Sequence, residues 1–194
     1  MAKIYLFMMV STDGYFEGRD HDLSWHNVDG EFNEFAAQQT SQAGTMLFGR
    51  KTYELMSGFW PTEHVRQEDP LVAKYMNTTP KIVFSKTLAS LTEIPYWENA
   101  SLANELVKED ILRLKKEASK EIAIFGSNAL CVSMMELGLV DEFRLMVNPV
   151  ALGEGSRLFG GLHNRLQLEL FNTRTFKSGN VLLYYRPAGK PALR

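Results

Sequence analysis

Apolar residues fall along this chain in short runs separated by longer amphipathic stretches, and the change of period marks out the elements. Residues 3–10 (KIYLFMMV) are continuously apolar after Lys3, which predicts a strand covered on both faces. Residues 11–27 are rich in turn formers. Phe32, Phe35, Ala36 and Gln39 follow helical spacing and predict a helix over 29–41. A second strand is expected at 45–48, a helix at 50–58 ending on Gly58, a polar loop from Pro61 to Asp69, and a short helix at 69–77. Residues 80–85 (PKIVFS) form the third strand. Val107, Ile111, Leu114 and Ala118 align on one face of a helix over 103–118. Residues 121–125 form the fourth strand. Gly126-Ser127 opens a helix that carries Leu130, Met134 and Leu137 and stops at Gly138. Phe143, Leu145 and Val147 alternate with Arg144 and Met146, as in a half-buried strand. Leu166, Leu168 and Leu170 alternate likewise. Ser178-Gly179-Asn180 reads as the turn of a hairpin that returns through 181–186.

Strands alternate with helices for the first 140 residues, and strands alone follow. That order predicts an α/β fold of three layers: a mostly parallel central sheet between helices, with an antiparallel C-terminal edge. No linker or internal repeat interrupts the pattern. One domain over 1–187 is expected, with 188–194 as a mobile tail.

Composition narrows the function. With 21 basic and 23 acidic residues in 194, the net charge is −2, which leaves no electrostatic footprint for nucleic acid or an anionic membrane. The single cysteine, Cys131, forbids an internal disulfide and fits a reducing, cytoplasmic setting. No apolar run approaches the roughly 18 residues of a membrane span. The apolar N-terminus lacks a small-residue cleavage site, and Asp13-Gly14 reads as a turn, so it is taken as the first strand. The four histidines are scattered, with no H-E-x-x-H and no cysteine pair, which argues against a metal site.

The candidate chemistry lies where strands end, because open α/β sheets bind ligands at the C-terminal ends of their strands. Strand 45–48 gives way to Gly49-Arg50-Lys51-Thr52, strand 81–84 to Ser85-Lys86-Thr87, and strand 121–125 to Gly126-Ser127-Asn128. Glycine lets backbone approach an anion, and a helix N-terminus offers free N–H groups and partial positive charge. Arg50, Lys51 and Lys86 add fixed charge. Three such ends on one edge suit a ligand with several phosphates, such as a dinucleotide. Each taken singly is equally an ordinary helix cap or a surface cation. Gly44 and Gly49 have the spacing of a phosphate loop, but the intervening residues are strand and Arg50 shifts Lys51 out of register. Gly153-x-Gly155-x-x-Leu158 lacks the third glycine of the dinucleotide fingerprint.

The segments MVSTDGYFEG at 9–18, LSWHNVDGEFNEF at 23–35, TMLFGRKTYELM at 45–56 and KIVFSKTL at 81–88 resemble dihydrofolate reductase in order and spacing. The segment 122–159, from IAIFGSNALC to GEGSRLF, is similar to the C-terminal reductase domain of the riboflavin-biosynthesis enzyme RibD. Together they resemble the stand-alone RibD C-terminal-domain-like, dihydrofolate-reductase-like proteins. The resemblance implies an NADPH-dependent reductase that passes hydride to a C=N or C=O of a small heterocycle, such as a ribosylamino-pyrimidine. It places Gly49, Arg50, Lys51 and Thr52 on the phosphates, and Gly126 and Ser127 on the pyrophosphate. Ser85, Lys86 and Arg50 fall near the 2′-phosphate, and Ser11, Asp13, Gly14 and Phe16 in a mobile loop beside the nicotinamide. Both families often carry Gly-Gly where this chain has Gly126-Ser127. Counting from Trp25 and from Phe35 leaves Asp29 and Glu31 as alternatives for the carboxylate that helps protonate substrate; Asp29 is also an ordinary N-cap. A homodimer through edge strands at 142–147 and 166–186 is implied too. The alternatives kept open are a dihydrofolate-type pterin reductase, a non-catalytic nucleotide-binding protein of the same fold, and a phosphotransferase using GRKT.

Overall fold

The computed structural model describes residues 1–189. Among these, the strands are β1 (Ile4–Ser11), β2 (Tyr15–Glu17), β3 (Ala43–Gly49), β4 (Lys81–Phe84), β5 (Ala100–Ala103), β6 (Glu121–Ile124), β7 (Glu142–Asn148), β8 (Ser156–Arg157), β9 (Leu168–Thr175) and β10 (Val181–Pro187). The helices are α1 (Gly30–Gln42), α2 (Arg50–Phe59), α3 (Glu63–Glu68), α4 (Pro70–Thr78), α5 (Lys108–Glu117) and α6 (Asn128–Glu136). One sheet runs β5-β4-β3-β6-β1-β7-β10-β9, and β2 pairs with β8 in a small ribbon. The first six of those sheet strands are parallel. β10 and β9 close the C-terminal side as antiparallel strands. This is the predicted three-layer architecture.

β1 shows why the unbroken apolar run is central. Ile4 and Leu6 point into a core built with Ile111 of α5 and Leu130 and Met134 of α6. Tyr5, between them, joins the opposite core with Met46, Tyr53, Val72 and Met76. Period-two alternation therefore sends successive apolar side chains to two covered faces.

The same logic corrects the reading of β7. Arg144 and Met146 were expected to face solvent, yet they are 7% and 0% exposed. The Arg144 guanidinium lies 3.7 Å from the Tyr5 ring centroid and donates to Glu142 at 2.6 Å and Glu121 at 2.9 Å. A buried cation is tolerable when paired this fully, so a charged position does not identify a solvent face here. β7 also lies between β1 and β10, and is not an edge strand.

Other differences are local. The helix expected from 103 begins at Lys108, and Ala100–Ala103 is the edge strand β5, a short run with no β-branched residue to announce it. The expected loop at 61–69 contains α3, and α2 runs through Gly58. The turn-rich segment after β1 contains β2 and a 3-10 turn at Arg19–His21. Of the expected tail, Ala188 is held by a hydrogen bond from its N–H to Gln167 O at 2.8 Å, and residues 190–194 lie outside the described residues.

Candidate functional site

The C-terminal edge of the parallel strands brings two helix starts into contact. Gly49 ends β3 and caps α2, and Ser127 follows β6 and caps α6; neither cap makes a side-chain hydrogen bond to its helix. The first-turn N–H groups of both helices therefore remain for a ligand. The Gly49 N–H donates to Gly126 O at 2.9 Å, which joins the two strand ends. A Cβ on Gly49 would run into Ser127 Oγ and lie 3.0 Å from Ser127 N. A Cβ on Gly126, whose φ is +120°, would lie 2.7 Å from Thr52 Oγ1. Only glycine permits this approach at either position. The Gly126-Ser127 peptide is cis.

Charge surrounds this junction. Arg50 and Lys51 are exposed on the first turn of α2. Arg50 makes a long surface pair with Glu54 at 3.4 Å, weak enough to exchange for a ligand anion. Gly49 is in register with Phe84 of β4, so Ser85 and Lys86 follow at the same level. Ser85 is buried and its Oγ accepts N–H groups of Thr87 and Leu88 at 3.2 and 3.1 Å. Its work is to shape the turn that presents exposed Lys86. The edge thus unites Gly49, Arg50, Lys51, Thr52, Ser85, Lys86, Gly126 and Ser127.

The loop after β1 is tied rather than loose. Ser11 Oγ donates to Asp13 at 2.6 Å and accepts from Tyr15 N–H at 3.0 Å. Asp13 also accepts the Leu152 and Gly153 N–H groups at 3.1 and 2.8 Å. These bonds, the Ser11 hydroxyl foremost, pull the Asp13 carboxyl down to about 2. Gly14, at φ +87°, is exposed and supplies the turn. Phe16 is partly buried and packs against the core cluster that includes Leu130, Met134 and Leu158.

The two candidate acids have different tasks. Asp29 Oδ1 accepts the Phe32 N–H at 2.8 Å and caps α1. Glu31 accepts the Lys177 N–H at 2.9 Å and an Arg174 N–H at 3.2 Å, and these donors hold its carboxyl below the usual range. Burial pushes the nearby His26 down to about 4, so its imidazole is neutral.

Sequence reading missed a set of side chains beside Asp29. Asn27 N–H donates to Asn148 Oδ1 at 2.8 Å, its amide donates to Ser178 O at 2.9 Å, and its carbonyl accepts the Asn180 amide at 2.7 Å. Asn148 and Asn180 are fully buried. Two hollows, of about 280 and 470 Å³, lie at the start of the strands and not at this edge; Lys74 and Asn77 line one, Lys3 and Lys120 the other. Among the described residues no group of three His, Cys, Asp or Glu side chains is placed to hold a metal, and no helix is long and apolar enough to cross a membrane.

Known proteins resemble this chain in sequence and in fold. The model of the RibD C-terminal domain matches residues 2–182. The Bacillus subtilis (strain 168) protein YyaP is 34% identical over 185 residues, covering 94% of each chain. A Thermotoga maritima diaminohydroxyphosphoribosylaminopyrimidine deaminase/5-amino-6-(5-phosphoribosylamino)uracil reductase superposes with a TM-score of 0.69 at 14% identity, over 96% of this chain and 57% of that one. An Enterococcus faecalis dihydrofolate reductase complexed with NADP(H) superposes with a TM-score of 0.63 at 14% identity, over 96% of each chain. The strand order, the glycine-closed junction of two helix starts and a match along nearly the whole chain converge: this chain belongs to the RibD C-terminal domain family and has a dihydrofolate-reductase-like fold.

Proposed function

We propose that the protein is an NADPH-dependent reductase acting on a C=N or C=O of a small heterocycle of the ribosylamino-pyrimidine kind. The observation that carries this reading is the junction of two uncapped helix starts, held together by Gly49 and Gly126 and flanked by Arg50, Lys51 and Lys86. Such a junction fits a pyrophosphate, because N–H groups from two helices converge without a carboxylate among them. Gly49, Lys51, Thr52, Gly126 and Ser127 would hold the phosphates. Arg50 and Lys86, with Ser85 shaping the turn, would meet a 2′-phosphate, which an arginine can grip with two parallel bonds. Ser11, Asp13, Gly14 and Phe16 would fix the loop beside the nicotinamide. Bound there, NADPH supplies hydride, and this chain orients the cofactor and excludes water. The proton would come from Asp29 or from water, with Glu31 kept as an anion by Arg174 and Lys177. The NADP(H) complex of the E. faecalis reductase and the uracil-reductase activity named for the T. maritima protein support this reading.

The decisive assay is NADPH consumption with a panel of aminopyrimidines, dihydropterins and simple carbonyls. Turnover on an aminopyrimidine supports the proposal, and turnover on a dihydropterin alone makes the protein a pterin reductase. Cofactor binding without turnover on any of them makes it a nucleotide-binding protein of the same fold. A cytoplasmic enzyme acting as a homodimer completes the proposal. The edge strand β9 exposes Leu170 and Phe171 at 48% and 45%, and a second copy would cover them. A solution mass of 22.1 kDa by light scattering would contradict the dimer.

A further inference from the structure

The segment from Asn27 to Glu31 is latched to the far side of the sheet by bonds that serve no helix or strand. Asn27 spends its N–H, its carbonyl and its amide on Asn148, Asn180 and Ser178, all within 2.7–2.9 Å. Glu31 binds Arg174 of β9 and the Lys177 N–H of the β9–β10 turn. Arg174 is itself fixed, its guanidinium 4.3 Å from the Phe176 ring centroid. Buried asparagines are costly unless bonded, and Asn148 and Asn180 are both fully buried. The cofactor junction at Gly49 and Gly126 shares none of these residues.

We propose that Asn27 and Glu31 are positioning residues that hold residues 22–31, the segment carrying the proposed proton source Asp29, independently of the cofactor junction. The inference rests on the reductase reading. In the folded protein the latch fixes Trp25 and Asp29 relative to the end of β1. Glu31 acts through Arg174 and not as an acid. Loss of the latch frees this segment while both helix starts stay in place.

The test compares wild type with Asn27→Ala and Glu31→Gln. Amide hydrogen exchange is followed for 22–32, for 49–53 and for 126–131. NADPH is titrated by its fluorescence, and 5,6-diaminouracil is titrated onto the NADPH-loaded protein. Asn27→Ala removes only the side-chain bond to Ser178 O, because the Asn27 N–H and carbonyl bonds are made by backbone and remain. The expected result is about three- to tenfold faster exchange confined to 22–32, the worth of one hydrogen bond, with a comparable or smaller rise in Glu31→Gln, which keeps an acceptor for Lys177. NADPH affinity stays within twofold while 5,6-diaminouracil affinity falls at least fivefold. Wild type that fails to bind NADPH refutes the reductase reading. Wild type that binds NADPH refutes the latch if it does not bind 5,6-diaminouracil, or if the variants keep its affinity or lose both ligands in parallel. Should Asn27→Ala fail to fold, Glu31→Gln carries the same comparison.

Discussion

Gly49→Ala isolates the feature on which the site depends. The Gly49 backbone, at φ −81° and ψ 161°, is one that alanine adopts freely, so backbone strain contributes nothing. The added methyl would instead run into Ser127 Oγ and lie 3.0 Å from Ser127 N, inside normal contact. Overpacking of this kind costs about 1–3 kcal/mol. Replacing glycine at a permitted conformation restores about 0.4–1 kcal/mol through the unfolded chain. The net loss therefore centres on about 1.3 kcal/mol, within a range of about 0–2.6 kcal/mol, and the central value corresponds to a fall in Tm of about 3–5 °C for a chain of this size. To relieve the clash, α2 and α6 must separate, and NADPH should bind at least about tenfold more weakly, the loss of one phosphate hydrogen bond. Thermal unfolding and cofactor titration read the two effects. Ser127→Gly in the same chain removes Oγ and Cβ but leaves the nitrogen contact, so the double variant should recover part of both. A Gly49→Ala protein with wild-type Tm and NADPH affinity would refute the reasoning, as would a double variant no better than the single one.

Three further substitutions probe separate parts of the account. Arg50→Ala should weaken NADPH about 10–100-fold, the range of a charge-assisted hydrogen bond, and NADH less than about threefold; equal loss for both cofactors would remove Arg50 from the 2′-phosphate. Asp13→Asn should lower Tm at neutral pH, because its oxygens accept three donors. Its folded pKa of about 2 lies below the ordinary value of 3.8, so the ionised group stabilises above that value. The gap to wild type should shrink as pH falls from about 4 toward about 2, and a gap unchanged with pH would contradict the assignment. Lys81 is 1% exposed and its Nζ donates to the carbonyls of Asn77, Thr79 and Glu98 at 2.7–3.0 Å. Lys81→Met leaves these unpaired and should cost at least about 2 kcal/mol in urea unfolding, with NADPH affinity unchanged.

Much of the fold was legible because its signals are local. The uninterrupted apolar run of β1 announced a strand covered on both faces, and the glycine that stops β3 announced a backbone that something approaches. What approaches most closely is Ser127, whose junction lies far away in sequence. Elements whose stability is tertiary left little trace. β5 has four residues, of which only Leu102 is strongly apolar, and it exists because β4 offers it hydrogen bonds. β7 misled because Arg144 is buried by pairing with Glu142 and Glu121, which no periodicity reveals. The latch was invisible for the same reason. Asn27 and Asn180 are 153 residues apart, and each alone is an ordinary turn residue. Asp29, a candidate acid whose other reading was an N-cap, does cap α1, while its neighbour Glu31 owes its state to Arg174 and Lys177, which only the fold brings near.

The central claim is that the strand-end junction binds NADPH. It is tested most directly by titrating the purified protein with NADPH, and separately with NADH, while following cofactor fluorescence. The account predicts saturable binding with a clear preference for NADPH, set by Arg50 and Lys86. Absence of binding by either cofactor would contradict it and leave Gly49 and Gly126 as residues that merely let two helices start close together.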